Sequence, residues 1–154
     1  MLKGIALATV LAAGLTVAAC GGAERLSKPE YGARLHTINI RVGQAEGRAE
    51  AAFATGRSLN RGRRAILAWA DVEEQAGREL ARLRPPEDAQ DANDNLSAAE
   101  KDFATALRNA ATALKGGQLA EGPKILERQM QTSHAPAELD HAIAQLKALG
   151  YTNS

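Results

Sequence analysis

The chain has 154 residues, and its 19 lysine and arginine residues nearly balance 18 aspartate and glutamate residues. The first 19 residues hold one of those basic residues and none of the acidic ones, so residues 20–154 are formally neutral. A neutral domain has no overall field that attracts nucleic acid, and we expect no nucleic-acid partner. A single cysteine also excludes an internal disulfide.

Residues 1–19 have the pattern of a signal peptide. Lys3 supplies a positive start, and an uncharged apolar run follows from Gly4 to Ala19. The run is short for a spanning helix, which needs about 20 apolar residues. The residues alone leave three alternatives open, which are a lipoprotein signal, an ordinary secretory signal and an uncleaved anchor.

The run ends in Val17-Ala18-Ala19-Cys20, which resembles the lipobox of bacterial lipoproteins. The resemblance implies cleavage before Cys20 by a type II signal peptidase and acylation of Cys20 with palmitate-like chains. A diacylglyceryl group would satisfy the two-chain requirement for stable anchoring. We therefore expect residues 20–26 to be a lipidated tether and the remaining chain to lie outside the cytoplasm, at the outer leaflet of the plasma membrane or in the periplasm.

The first predicted helix spans about residues 28–54. Ser27 and Glu30 have the spacing of a capping box, and Pro29 lies in the first turn. Apolar and small residues then recur in steps of three and four, which indicates one buried stripe. The predicted stripe is Tyr31, Leu35, Ile38, Val42, Ala45, Ala49 and Ala52.

Three further amphipathic segments follow. The second is predicted to end near Leu83 before Pro85-Pro86, and the third to span about residues 87–115. The fourth is predicted to begin with Leu119, Leu126 and Met130, with Gly122-Pro123 disturbing its start, and to have a kink or break between Ser133 and Pro136. The predicted stripes of the second and third helices are Ile66, Trp69, Glu73, Ala76, Leu80, Leu83, and Ala92, Leu96, Ala99, Phe103, Ala106, Ala110, Ala113.

These segments predict an all-α fold, an antiparallel four-helix up-down bundle over residues 27–150 with a tail at 151–154. Aromatic residues make up only 3% of the chain, so its core must be mainly aliphatic, with Trp69 and Phe103 as its largest fillers. No alternating strand pattern occurs in the sequence.

The order of motifs also resembles a group of proteins. A lipobox, then Leu26-Ser27-Lys28-Pro29-Glu30-Tyr31, Leu83-Arg84-Pro85-Pro86 and a Leu-Gly-Tyr ending at 149–151 is similar to small, uncharacterised helical lipoproteins of high-GC, actinobacterial-like bacteria. The resemblance covers most of the chain beyond the signal peptide. It implies no catalytic residues and no cofactor.

Metal and catalytic sites are disfavoured by the spacing of the polar residues. Glu138 and His141 form one Glu-x-x-His pair, whereas di-iron bundles need a second pair and two further glutamates. His36 and His134 lie in other segments without ligand-like spacing and are interpreted as solvated. We predict no metal site, no cofactor and no enzymatic activity.

Glu73 is the polar residue predicted to interrupt an apolar stripe. A buried, unpaired carboxylate there would have a raised pKa and suggest a function. The favoured interpretation is that Glu73 reaches the bundle edge or pairs with an arginine.

A basic turn separates the first two helices. Four residues form this basic turn, which could contact envelope phosphates or a partner: Arg57, Arg61, Arg63 and Arg64. A solvated turn is the alternative. The resulting hypothesis is a lipid-anchored binding or structural module of the cell envelope, with an envelope protein or the cell wall as partner. The alternative hypothesis is a carrier that holds a small ligand or metal in the bundle core.

Overall fold

A computed structural model describes residues 24–55, 58–116 and 121–151, and in these ranges the protein is all-helical. It contains five α-helices and no strand in these residues. The helices are α1 (Lys28–Ala54), α2 (Leu59–Leu80), α3 (Gln90–Ala113), α4 (Gly122–Thr132) and α5 (Ala135–Ala148). Cys20 and Arg57 lie outside the described residues. None of the described helices is long and apolar enough to cross a membrane.

Helix α1 has the predicted bounds and the predicted buried stripe. Its start is fixed by Glu30, whose carboxylate accepts hydrogen bonds from the Ser27 amide (2.9 Å) and the Ser27 hydroxyl (2.6 Å). Of the seven predicted stripe residues six are buried, and Val42 is half-buried. The prediction for this helix is confirmed because its caps and its apolar period agree.

Helix α2 ends earlier than predicted, at Leu80 rather than near Leu83. Beyond Leu80 the chain makes a tighter turn, in which the Leu83 amide donates to the Leu80 oxygen at 3.0 Å. The following Pro85 disfavours helical dihedrals at Arg84, so the chain straightens before the proline pair. The Arg84 oxygen then accepts from the Leu26 amide at 2.7 Å, which joins the start of the described chain to the end of α2.

Helices α2 and α3 are in close contact at Gly77. The Ser97 hydroxyl donates to the Gly77 carbonyl at 2.8 Å, and a Cβ at Gly77 would lie 2.8 Å from the Ser97 carbonyl oxygen. Only a residue without a side chain fits at this separation, so Gly77 sets how closely the two backbones approach.

Helix α3 is the central element, because both parts of the core include it. One cluster surrounds Tyr31, Leu80 and Leu96, and the other surrounds Ile66, Phe103 and Leu107. The helix is buried over a wider arc than its predicted stripe. Besides the predicted residues, it buries Asn93, Ser97, Glu100, Ala104, Leu107 and Ala111, whereas Ala113 is exposed.

The predicted break in the fourth helix is found at Ser133 and His134, which separate α4 from α5. Ser133 turns the chain through its hydroxyl, which accepts from the Ala135 amide at 3.2 Å, and Pro136 follows in the first turn of α5.

Two residues beyond the end of α5, Gly150 caps the helix in the left-handed region (φ 80°), as the sequence predicts. The Tyr151 amide donates to the Leu146 oxygen and the Gly150 amide to the Lys147 oxygen, which together form a Schellman motif. Tyr151, placed by the sequence pattern at the start of a tail, is buried and meets Tyr31 edge-on at 5.2 Å between ring centroids.

Candidate functional site

Glu73 lies inside the protein. Its residue exposure is 1%, and one carboxylate oxygen accepts from the indole Nε1–H of Trp69, one turn earlier on α2, at 2.6 Å. The other oxygen is buried without a hydrogen-bond partner, and no described salt bridge includes Glu73. The prediction that Glu73 faces inward is confirmed. The favoured interpretation, an edge position or an arginine partner, is wrong because the half-buried Trp69 holds the carboxylate inside.

Glu100 of α3 meets Glu73 from the neighbouring helix. It is 6% exposed, and its Oε2 has no hydrogen-bond partner. Burial raises the pKa of Glu100 far above its ordinary value of 4.5, and the nearby carboxylate of Glu73 raises it further. Two carboxyl groups in such contact cannot both ionise cheaply, so Glu100 holds a proton at neutral pH.

No salt bridge of the described residues neutralises this pair. Arg41 of α1 is engaged with Glu79 at 2.6 Å, and its own Nε is buried without a partner. Partial burial raises the pKa of Glu46 on α1, and the charges of Glu50 and Glu73 raise it too. The surroundings of Glu73 are therefore acidic on the side of α1 as well.

A cavity of about 70 Å³ lies beside Glu100, between α1, α3 and α5. Its walls are mostly aliphatic, and its polar side chains are those of Glu100, Asn39 and Tyr151. The aliphatic walls come from Leu35, Ile38, Val42, Leu96, Leu139, Ile143 and Leu146. A buried carboxyl group thus borders an apolar space, which is a common arrangement in small-ligand sites.

The sequence missed Glu100 because its neighbours Ala99 and Lys101 suggest an ordinary edge of a helix. A usable signal was present nonetheless. A second set of residues at steps of four and three runs beside the predicted stripe of α3. The set is Asn93, Ser97, Glu100, Ala104, Leu107 and Ala111, and all are buried.

The Glu-x-x-His pair lies on the surface. Glu138 and His141 are exposed and share with His134 and Asp102 a shallow groove of about 570 Å³ between α3 and α5. Nε2 of His141 lies 3.2 Å from the side-chain amide of Gln145. Among the described residues no three or more His, Cys, Asp or Glu side chains are grouped so that they could hold a metal ion. His36 is exposed on α1, away from this groove.

The prediction of a turn is wrong for its described residues, because α2 begins at Leu59 and Arg61, Arg63 and Arg64 therefore lie in its first two turns. Arg61 and Arg64 are exposed and Arg63 is half-buried, and the first turn contains no acidic residue. At this end of the molecule a Cβ on Gly62 would lie 2.7 Å from the Phe53 ring, which shows how closely the end of α1 contacts the start of α2.

Comparison with protein-family models, with curated proteins and with solved structures finds no match for this chain.

Proposed function

We propose that the protein is a lipid-anchored, extracytoplasmic helical module that binds a partner in the cell envelope. The observation that carries this proposal is the tetrapeptide Val17-Ala18-Ala19-Cys20 at the end of an uncharged apolar run. The only cysteine of the chain occupies the position at which lipoproteins are acylated. The role is one of binding rather than catalysis.

The body is proposed to be an up-down four-helix bundle in which α4 and α5 together take the place of the fourth helix. Contacts at both ends of α1 and α2 support opposite directions for these helices. Leu26 meets Arg84 at one end, and Phe53 meets Gly62 at the other.

In this proposal the arginines lie far from the tether. Helix α1 has 27 residues, and at 1.5 Å per residue it is about 40 Å long. The arginines at the start of α2 lie beside its far end, and Leu26 lies at its near end. In an upright molecule Arg61, Arg63 and Arg64 would face the cell wall or an envelope protein, and the anchoring membrane would be out of reach.

Lipidation is tested by labelling cells with palmitate. The unaltered chain should incorporate the label and fractionate with membranes, whereas Cys20→Ser should lose both properties because its hydroxyl cannot form the thioether. Equal labelling of the two proteins would refute acylation at this residue.

The partner surface is tested by crosslinking and pull-down with the double variant Arg61→Glu, Arg64→Glu. A matched control, Arg34→Glu with Arg82→Glu, makes the same charge change at exposed positions near the other end of α1 and α2. Partner recovery should fall only in the first variant. Equal recovery from both would exclude the basic turn as the contact surface.

A second candidate function is a small-ligand carrier. The observation that favours it is the cavity of about 70 Å³ bordered by Glu100, whose buried Oε2 has no partner. A ligand that enters this space would satisfy a polar atom that is otherwise costly to bury. The two functions are compatible, because the residues that line the cavity are different from the arginines at the start of α2.

A further inference from the structure

We propose that the cavity beside Glu100 binds the ammonium group of a small aliphatic amine, with the carboxyl oxygen of Glu100 as its acceptor. The inference rests on the second proposed function, the small-ligand carrier, and is independent of the lipid anchor. It names the chemical class of the ligand.

Two buried polar atoms of the carboxyl pair are unsatisfied. The Oε2 atoms of Glu73 and Glu100 are both buried without a partner. A buried acceptor without a donor is destabilising, and an ammonium group supplies three donors at once. Glu100 is the member of the pair that borders the cavity, so it is the one that a ligand meets first.

The charges around Glu73 and Glu100 also favour a cationic ligand. Glu73 approaches Glu100 from α2, and Arg41 of α1 is already paired with Glu79. The cavity residues contributed by α5 are Leu139, Ile143 and Leu146, which carry no charge. Within the described residues no salt bridge reaches Glu73 or Glu100, so a cationic ligand would replace the proton that otherwise neutralises Glu100.

The shape and chemistry of the cavity walls favour a small alkylammonium ion over a calcium ion. Among the described residues that line the cavity, only Glu100, Asn39 and Tyr151 offer side-chain oxygens, fewer than the six to eight that calcium takes. The remaining walls are aliphatic and suit an alkyl chain. A cavity of about 70 Å³ is roughly half the 150 Å³ that accommodates benzene in an engineered protein, so it suits a chain of about three carbons.

Binding is non-covalent, and the proton that moves is that of Glu100. The amine enters as the ammonium ion and keeps its proton. Where Glu100 is protonated beforehand, that proton leaves to the solvent as the carboxylate forms its ion pair with the ammonium. Binding should therefore release up to one proton per ligand and should tighten as the pH rises.

The test is a titration of the full-length protein, purified in a non-ionic detergent, with n-propylammonium chloride. Binding is followed by amide chemical shifts in NMR spectra and by calorimetry in two buffers of different ionisation enthalpy. Sodium chloride at equal concentration controls for ionic strength, and 1-propanol is the neutral ligand of the same length. We expect saturable binding with a Kd of about a millimolar, as suits so few atoms.

Glu100→Gln keeps the shape of the side chain but cannot become a carboxylate when the ammonium ion enters, so it should weaken propylammonium binding about tenfold or more. Glu138→Gln, at an exposed position of α5, is the matched control and should bind like the unaltered protein. Val42→Phe should fill the cavity and abolish binding while Glu100 is retained, with circular dichroism confirming that each variant is folded.

The outcomes distinguish failure of the ammonium assignment from failure of the carrier function. Equal affinity for propylammonium in the unaltered protein and in Glu100→Gln would overturn the ammonium assignment. Tighter binding of 1-propanol than of propylammonium would also overturn it, although the carrier function would survive. Saturation by neither ligand would overturn both the assignment and the carrier function.

Discussion

Replacing Glu100 by glutamine should change how the stability of the protein depends on pH. In the unfolded chain this carboxyl group ionises near its ordinary pKa of 4.5, whereas in the folded protein burial beside Glu73 raises that pKa. The folded state therefore binds the proton more tightly. Stability contributed by the protonated form is complete at low pH and is lost as the pH rises from 4.5 toward the raised pKa.

The size of this effect follows from proton linkage. Each pH unit in that window lowers the free energy of unfolding by about 1.4 kcal/mol for one proton. Between pH 4.5 and 7 the loss is about 3 kcal/mol, because the folded pKa lies above this range. For a domain of this size the loss corresponds to a fall in Tm of roughly 10 °C.

Because glutamine resembles the protonated acid, the free energy of unfolding of Glu100→Gln should not fall in this way between pH 4.5 and 7. Urea unfolding followed by circular dichroism at pH 4.5, 6 and 7 should show nearly equal stabilities of the two proteins at the lowest pH and a growing advantage of the variant above it. Glu138→Gln, whose side chain is exposed, should follow the unaltered protein throughout. Parallel curves for the unaltered protein and Glu100→Gln would refute a raised pKa at this site.

Gly77→Ala should lower the free energy of unfolding by about 1–3 kcal/mol, because its Cβ would lie 2.8 Å from the backbone oxygen of Ser97. Gly47→Ala, on α1 with nothing within 4 Å of its Cβ, should instead raise it by about 0.5–1 kcal/mol. Both are measured by urea unfolding, and equal effects of the two would contradict the close contact of α2 with α3. Trp69→Phe keeps an aromatic ring but removes the indole N–H that donates to Glu73, which should cost about 1–3 kcal/mol; an unchanged midpoint of urea unfolding would show that this hydrogen bond is not needed.

Helix α1 could be predicted from the sequence because its signals agree. Ser27, Pro29 and Glu30 mark its start, and its buried residues follow a single period from Tyr31 to Ala52. Such a helix lies at one side of the fold, where one stripe suffices to describe its burial.

Helix α3 could be predicted only in part. Its apolar stripe was confirmed from Ala92 to Ala110, but the helix contacts α2, α4 and α5 and buries a second row of residues. That row includes Asn93 and Glu100, whose polar side chains resemble a solvated face in the sequence. Their burial depends on partners from other helices, such as Tyr31, whose hydroxyl donates to the Asn93 side-chain oxygen at 3.1 Å.

The candidate site, like α3, could be predicted only in part from the sequence. Glu73 was identified from its place in an apolar stripe, but its environment was not, because the indole of Trp69 and the carboxyl of Glu100 reach it by helix packing. The sequence pattern also treated Trp69 as a core filler. In the structure it is half-buried, packs edge-on against Phe103 at 5.5 Å and holds the carboxylate of Glu73.

The joining of the two ends of the described chain has a practical consequence. The Lys28 ammonium donates to the Leu149 carbonyl at 2.7 Å, and Tyr151 packs on Tyr31, so the two ends of the described chain lie side by side. A circularly permuted chain that links these ends directly should therefore need only a short connecting peptide.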